Sequence, residues 1–361
     1  MMHRFLRTLA LAALASLLPL GTLATVPDPG LRSAAPAASP KAPMALGAYL
    51  PPPGDAATRI ARFRNRTGRV PAIVALYAGW GGDFSQFYED GIKAYMQGVV
   101  EAGATPMLTW EPWAGNARDG RYALRNLITS DFCPNTTSAC QGLDDAYVRT
   151  FAQEMSDWLE HEESDGATVL IRLAHEMNGG WYSWGKRNGN TPAEYKAFWR
   201  YVVSTFREVL APDVRSRVKW VWAPNNPASS AVKLKDYWPG ASWVDYMGFS
   251  SYNWGRAVSW GTWKSMYAIY RPSMQQLTAI SPTKPVIVSE TGSTEKGGDK
   301  PAWIRKGYAM LKTTWPRLVA VVWQDSVDPR GYDWRVGSTR ASRDAYRKVV
   351  AMTFYRGHLP S

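Results

Sequence analysis

Short apolar runs separated by helix-length stretches recur along this chain, and that alternation limits what it can fold into. The runs fall at 44–50, 72–77, 105–110, 168–174, 218–223, 246–249, 285–289 and 318–323. All are of strand length, four to seven residues. Amphipathic stretches at 55–65, 84–102, 144–160, 192–209 and 302–314 lie between them and read as helices. Apolar strands alternating with helices give a parallel sheet covered by helices. Eight of them predict class α/β and a single (β/α)8 TIM barrel. A doubly wound open sheet is the competing arrangement, but it normally carries a glycine-rich phosphate loop after its first strand. Residues 44–53 offer none. The 361 residues exceed the roughly 250 typical of such a barrel and leave room for insertions.

The ends of the chain read differently. Arg4 and Arg7 precede an apolar stretch, Leu9 to Leu20, that is short for a membrane span, and small residues follow. Residues 1–24 therefore read as a secretory signal peptide. Residues 25–43, rich in Pro, Ala and Ser, read as a linker. The expected catalytic domain is 44–361, and the expected location is secreted or periplasmic, without stable membrane insertion once the signal is removed. Cys133 and Cys140 are the only two cysteines and share a polar loop. In an exported protein they are expected to form a local disulfide. The formal charge of +12 is scattered rather than clustered and accompanies no nucleic-acid motif, so nucleic acid is not an expected partner.

The most informative stretch is 168–185, where an apolar run breaks at His175-Glu176 into Met177-Asn178-Gly179-Gly180, followed by Trp181, Tyr182 and Trp184. A carboxylate at a strand end, walled by aromatics, suits a sugar site. Sugar faces stack on rings, and a dry wall raises the pKa of a carboxyl that must act as an acid. By strand alternation Arg172, Ala174 and Glu176 share the side facing the barrel axis. A plain strand followed by a helix cap is the competing reading. Glu290 shares its side with Val286 and Val288 at the end of the seventh run, and the same alternation points it into the mouth. Two carboxyls about 5–5.5 Å apart suit a retaining glycosidase, and a gap of about 6.5–9.5 Å suits an inverting one. Tyr252 and Arg172 supply donors that would keep a nucleophile anionic. Trp323, on the side of Val319 and Val321, is expected to face inward.

In these residues the chain resembles glycoside hydrolase family 26. The likeness rests on Arg172-Leu-Ala-His175-Glu176-Met-Asn178-Gly179 with Trp181, Tyr182, Trp184 and Gly185. Ser289-Glu290-Thr291-Gly292, Gly248-Phe-Ser-Ser-Tyr252-Asn253 and Val322-Trp323 add to it. It covers roughly 45–350. The resemblance implies Glu176 as acid/base and Glu290 as nucleophile. It also implies His175 against the sugar at the cleavage point, Tyr252 on Glu290, Trp323 as the floor beneath that sugar and Trp181 on the leaving-group side. Glu111 stands where many mannan-cleaving members carry a histidine, and Ser250-Ser251 where an aspartate is often seen. Both departures point to a different sugar in the subsite.

These readings predict a retaining endo-β-glycosidase acting on β-1,4-mannan or glucomannan, or on mixed-linkage β-glucan. Neither cofactor nor metal is expected, and the protein is expected to be a monomer with a polysaccharide as its partner. Trp80, Trp110, Trp113, Trp181, Trp184, Trp254 and Trp323 would form the groove, with Glu111 and Asn225 contacting sugar. A non-catalytic polysaccharide-binding barrel in envelope or capsule assembly is the alternative. His175-Glu176 lacks a second histidine at helical spacing, which excludes a zinc-protease helix. No Gly-x-Ser-x-Gly elbow occurs.

Overall fold

Alternate residues of each strand point to opposite faces of a sheet, and here one face closes on itself. Ala45 on the strand Ala45–Tyr49 (β1) meets Ile73 and Ala75 on Ile73–Gly79 (β2) and Met107 on Thr105–Glu111 (β3). Leu170 on Val169–Leu173 (β4) and Val221 on Val218–Trp222 (β5) join them, as does Tyr246 on Tyr246–Asn253 (β6). Ile287 on Val286–Ser293 (β7) and Ala320 and Val322 on Leu318–Gln324 (β8) complete the plug. The eight strands pair in chain order, all parallel, and β1 pairs with β8 to close the barrel. The computed structural model describes residues 41–80, 91–113, 124, 127, 145–161, 164, 166–227 and 231–359. The expected signal segment, most of the linker and the Cys133–Cys140 pair lie outside these residues.

The helices are Ala56–Thr67 (α1), Gly91–Glu101 (α2), Asp145–Glu160 (α3), Pro192–Val209 (α4), Met266–Ile280 (α5), Lys300–Leu311 (α6) and Arg340–Val350 (α7). Their starts follow local chemistry. Asp55, Ser265, Asp299 and Thr339 each accept a hydrogen bond from an amide of the first turn they precede. Thr191 and Glu194 form a reciprocal capping box ahead of α4, with Pro192 in its first turn. Among the described residues no helix is long and apolar enough to cross a membrane.

Two helices, α5 and α7, are absent from the expected pattern. The first contains Pro272, and the second is mostly polar with a narrow apolar face. Strands β6 and β7 run four residues past their expected ends, through Asn253 and Ser293. Ser, Asn, Gly and Glu there are poor strand formers by propensity. Tertiary pairing at the barrel rim holds them extended, Ser250 opposite Glu290 and Asn253 opposite Ser293.

The outer face of the barrel corrects several expectations. Trp110 is fully buried against Phe151 of α3, at 4.2 Å between ring centroids, and against Trp80 at 4.9 Å. Trp323 is likewise buried, between β8 and the rings of Trp303 on α6 and Tyr346 on α7. Its parity is outward, because Val322, not Val321, faces the barrel interior. Truncating such rings to alanine typically costs about 3–5 kcal/mol. Trp80, Trp110, Trp184 and Trp323 are all under 2% exposed, so these four do not line a groove.

Candidate active site

Glu176 and Glu290 both reach the C-terminal mouth, where barrel active sites lie. Neither arrives by simple strand alternation. Strand β4 ends at Leu173, and Ala174 and Glu176 take left-handed backbone angles, φ 41° and 54°. For residues with a Cβ this costs of order 1–3 kcal/mol each and persists only where neighbours enforce it. The Ala174 amide donates to the Trp110 carbonyl at 2.9 Å and the Glu176 amide to the Ala223 carbonyl at 2.8 Å. The Trp184 indole clamps the His175 carbonyl at 2.7 Å. The two neighbouring strands thus hold the kink that aims Glu176. Gly179 completes the turn. A Cβ there would lie 2.4 Å from the Trp181 ring, which folds back over the backbone.

On β7, Val286 and Val288 face the helices and Ile287 faces inward, the reverse of the expected parity. Glu290 still enters the mouth because the register slips. Phe249 pairs with Val288, and the next residue, Ser250, pairs with Glu290, so Ser289 is skipped. A bulge of this kind re-aims the following side chain. The Ser289 hydroxyl is tied down by donating to the Phe249 carbonyl at 3.1 Å.

The two carboxylates sit in unlike surroundings. Glu290 accepts from Tyr77 at 2.7 Å on Oε1 and from Tyr252 at 2.5 Å on Oε2. Arg172, fully buried, also donates to Glu290 Oε1 and pairs with it as an ion. Glu176 has neutral donors, Asn225 Nδ2 at 2.9 Å and Trp181 Nε1 at 2.7 Å. Asn225 is oriented by reciprocal bonds with Asn178 at 2.8 and 2.9 Å. Burial first, then the charge of Glu290, raises the Glu176 pKa above the ordinary glutamate value. Burial followed by the charge of Glu290 also raises the Tyr77 and Tyr252 hydroxyls well above the usual phenol range, so both remain donors.

His175 lies between Glu290 and Glu111. Its Nε2 is 3.1 Å from the Tyr182 hydroxyl and 3.9 Å from Glu290 Oε1, and its Nδ1 is 3.9 Å from Glu111 Oε1. Burial, then Arg172, lowers its pKa well below the usual histidine value, so the ring is neutral. Glu111 is a third buried carboxyl, and among the described residues its side-chain donor is Trp113 Nε1 at 3.1 Å. Burial pushes its pKa up to about 7 against that donor. The folded state therefore binds a proton that the unfolded chain releases near pH 4.5, and stability is lost as pH rises from about 4.5 to 7. Glu111→Gln is expected to flatten this fall. The gain over the parent would be at most about 3 kcal/mol above pH 7, read from urea unfolding at pH 5 and pH 8.

Of the expected site residues, Arg172, His175, Glu176, Trp181, Asn225, Tyr252, Glu290, Glu111 and Trp113 come together at the mouth. Trp110 and Trp323 do not, for the packing reasons given above. Tyr77 is a site residue that the sequence reading missed, although Ile73, Ala75 and Tyr77 share one parity and end at the rim. Ser250, 3.5 Å from Arg172, was likewise missed as a contact.

A family description, glycosyl hydrolase family 26, matches residues 55–308. The chain belongs to this family. Within curated relatives, it is 31% identical to Endoglucanase H of Acetivibrio thermocellus over 296 residues, which is 81% of this chain and 29% of that protein. It is 25% identical to a mannan endo-1,4-beta-mannosidase of Bacillus subtilis over 246 residues, 66% of this chain and 62% of the relative. The chain thus spans less than two thirds of either relative's length. Its fold matches the catalytic domain of a Bacillus sp. JAMB-750 family 26 endo-beta-1,4-mannanase, with a TM-score of 0.66 and 18% identity. The match covers 87% of this chain and 86% of that one.

Proposed function

We propose that this chain is an exported, retaining endo-β-glycanase that works as a monomer without cofactor. The observation that carries the reading is the contrast between its two carboxylates. Glu290 is held by a guanidinium and two hydroxyls, as an anionic nucleophile must be. Glu176 is held by neutral donors and shifted toward its protonated form, as a general acid must be.

In the first step Glu290 attacks the anomeric carbon while Glu176 gives its proton to the glycosidic oxygen. The carbon–oxygen bond breaks, the leaving sugar departs as an alcohol, and a glycosyl ester joins the chain to Glu290. In the second step Glu176, now a carboxylate, takes a proton from water. The resulting hydroxide attacks the anomeric carbon and Glu290 is released. The rate falls as pH rises through the Glu176 pKa, so the basic limb lies above the ordinary carboxylate range. Neutral His175 and the carboxyl of Glu111 contact sugar hydroxyls beside the cleaved bond, and Trp181, 44% exposed, shapes the leaving-group side.

The names of the two relatives, an endoglucanase and a mannan endo-1,4-beta-mannosidase, support a β-linked glucan or mannan. The test is reducing-sugar release from β-mannan, glucomannan, mixed-linkage β-glucan and xylan. Cleavage of one of the first three, absent in Glu290→Ala, is the expected result. A folded protein inactive on all four would overturn the reading.

A further inference from the structure

One aromatic feature at the mouth is not used by the chemistry. Trp260 lies in the loop between β6 and α5 and is 70% exposed, the most exposed of the large apolar side chains among the described residues. An exposed tryptophan on a loose loop would mean little, but this loop is pinned. The Arg256 amide donates to the Lys296 carbonyl at 2.9 Å and the Lys264 amide to Asn253 Oδ1 at 3.1 Å. The Trp303 indole holds the Lys264 carbonyl at 2.9 Å. Gly255 has φ +53°, and a Cβ there would sit 2.0 Å from the Lys296 carbonyl oxygen. The exposure of Trp260 is therefore built in.

The ring also connects to the reacting centre. Tyr252, the donor to Glu290, contacts Trp334 at 4.7 Å, and Trp334 meets Trp254 edge-on at 4.8 Å. Trp254 then contacts Trp260 at 5.3 Å and Tyr332 at 5.3 Å. The Arg330 guanidinium lies 5.4 Å from the Trp254 ring and 5.1 Å from the Tyr332 ring, and Asp328 fixes it through a 2.7 Å bond. Arg330 braces the inner rings and leaves Trp260 as the open platform. Its N–H groups sit at the same rim as donors for hydroxyls.

We propose that Trp260, with Trp254 and Arg330 behind it, is a distal subsite that stacks a pyranose of the β-linked polymer beyond the units flanking the cleaved bond. This rests on the β-glycanase reading and deepens it. A ring fixed in advance pays no ordering entropy when a sugar lands on it, which is the condition for a useful contact on a rim. The occupant is a neutral sugar ring, because the platform is aromatic and the Arg330 guanidinium behind it is already paired with Asp328.

The test compares Trp260→Ala and Trp260→Phe, each in the full chain. Binding without turnover is read by affinity gel electrophoresis in the Glu290→Ala background, on gels cast with mixed-linkage β-glucan, glucomannan or β-mannan. In the active background, kcat/KM on the polymer is divided by kcat/KM on an aryl β-disaccharide of the same sugar. Trp260→Ala is expected to weaken polymer binding and to lower that ratio by about tenfold, the loss expected for one well-placed aromatic contact. Trp260→Phe is expected to recover most of it. Polymer binding and ratio within about twofold of the parent, in a Trp260→Ala protein with parental melting temperature, would overturn the platform and leave the catalytic reading standing. A parent that neither binds nor cleaves any of the polymers would overturn both.

Discussion

Replacing Glu290 by alanine is expected to lower kcat on the cleaved polysaccharide by on the order of 10⁴-fold, with a much smaller change in KM. The size follows from the role. Without Glu290 no covalent ester forms, and the remaining groups orient sugar and water without a partner for the anomeric carbon. The site left behind is specific in shape and charge. Arg172 stays buried beside the gap, with Tyr77 and Tyr252 still pointing into it. A small anion such as azide or formate fits that charge, and added azide should restore turnover by attacking the anomeric carbon from the same side. The product would then be a glycosyl azide of inverted configuration. Loss of less than tenfold in kcat would remove Glu290 from the nucleophile's role.

Arg172→Leu is expected to lower unfolding free energy by roughly 3–5 kcal/mol, as read from urea denaturation near neutral pH. Arg172 is fully buried and Glu290 is 9% exposed, so removing the guanidinium leaves a carboxylate in the barrel held, among the described residues, by the Tyr77 and Tyr252 hydroxyls. Ion pairs on a protein surface contribute far less, about 0–1 kcal/mol. The difference between the two ranges makes the measurement decisive. A companion variant, Arg172→Leu with Glu290→Gln, removes the uncompensated charge and should recover much of the loss. A cost below 1 kcal/mol for Arg172→Leu would mean that the tyrosine hydroxyls alone compensate the buried charge.

How far the chain could be read in advance depends on which level of structure carried each feature. The barrel follows from apolar spacing, because buried parallel strands need continuous apolar runs and write themselves into the sequence at that scale. The two glutamates were legible because each sits at the end of such a run, amid residues no ordinary loop would collect. The way they reach the mouth was not legible. Glu176 arrives through left-handed angles at Ala174 and Glu176, and Glu290 through the skipped Ser289. Both devices break the period of two on which a parity argument depends, and each is enforced by neighbouring strands distant in sequence. At Glu290 two errors cancelled, the reversed parity and the skipped Ser289, whereas on β4 the inward side expected for Arg172 was right. At Trp323 nothing offset the wrong parity, because β8 pairs in regular register with β1 from Ala320 to Gln324, and the ring turned out to face α6 and α7. Trp110 shows a related limit, since an indole at a strand end looks the same in sequence whether helices or sugars cover it. Tyr77 was hidden for the opposite reason. Its run looked complete as an apolar strand, and its partner Glu290 lies 213 residues away.

The stereochemistry of the first product tests the double displacement most directly. Proton NMR of the anomeric signals, recorded in the first minutes of hydrolysis before mutarotation, separates the two anomers of the new reducing end. A retaining enzyme with Glu290 as nucleophile releases the β-anomer first, with the α-anomer appearing only as the free sugar equilibrates. Early appearance of the α-anomer would show single displacement by water and would contradict the roles given to both glutamates.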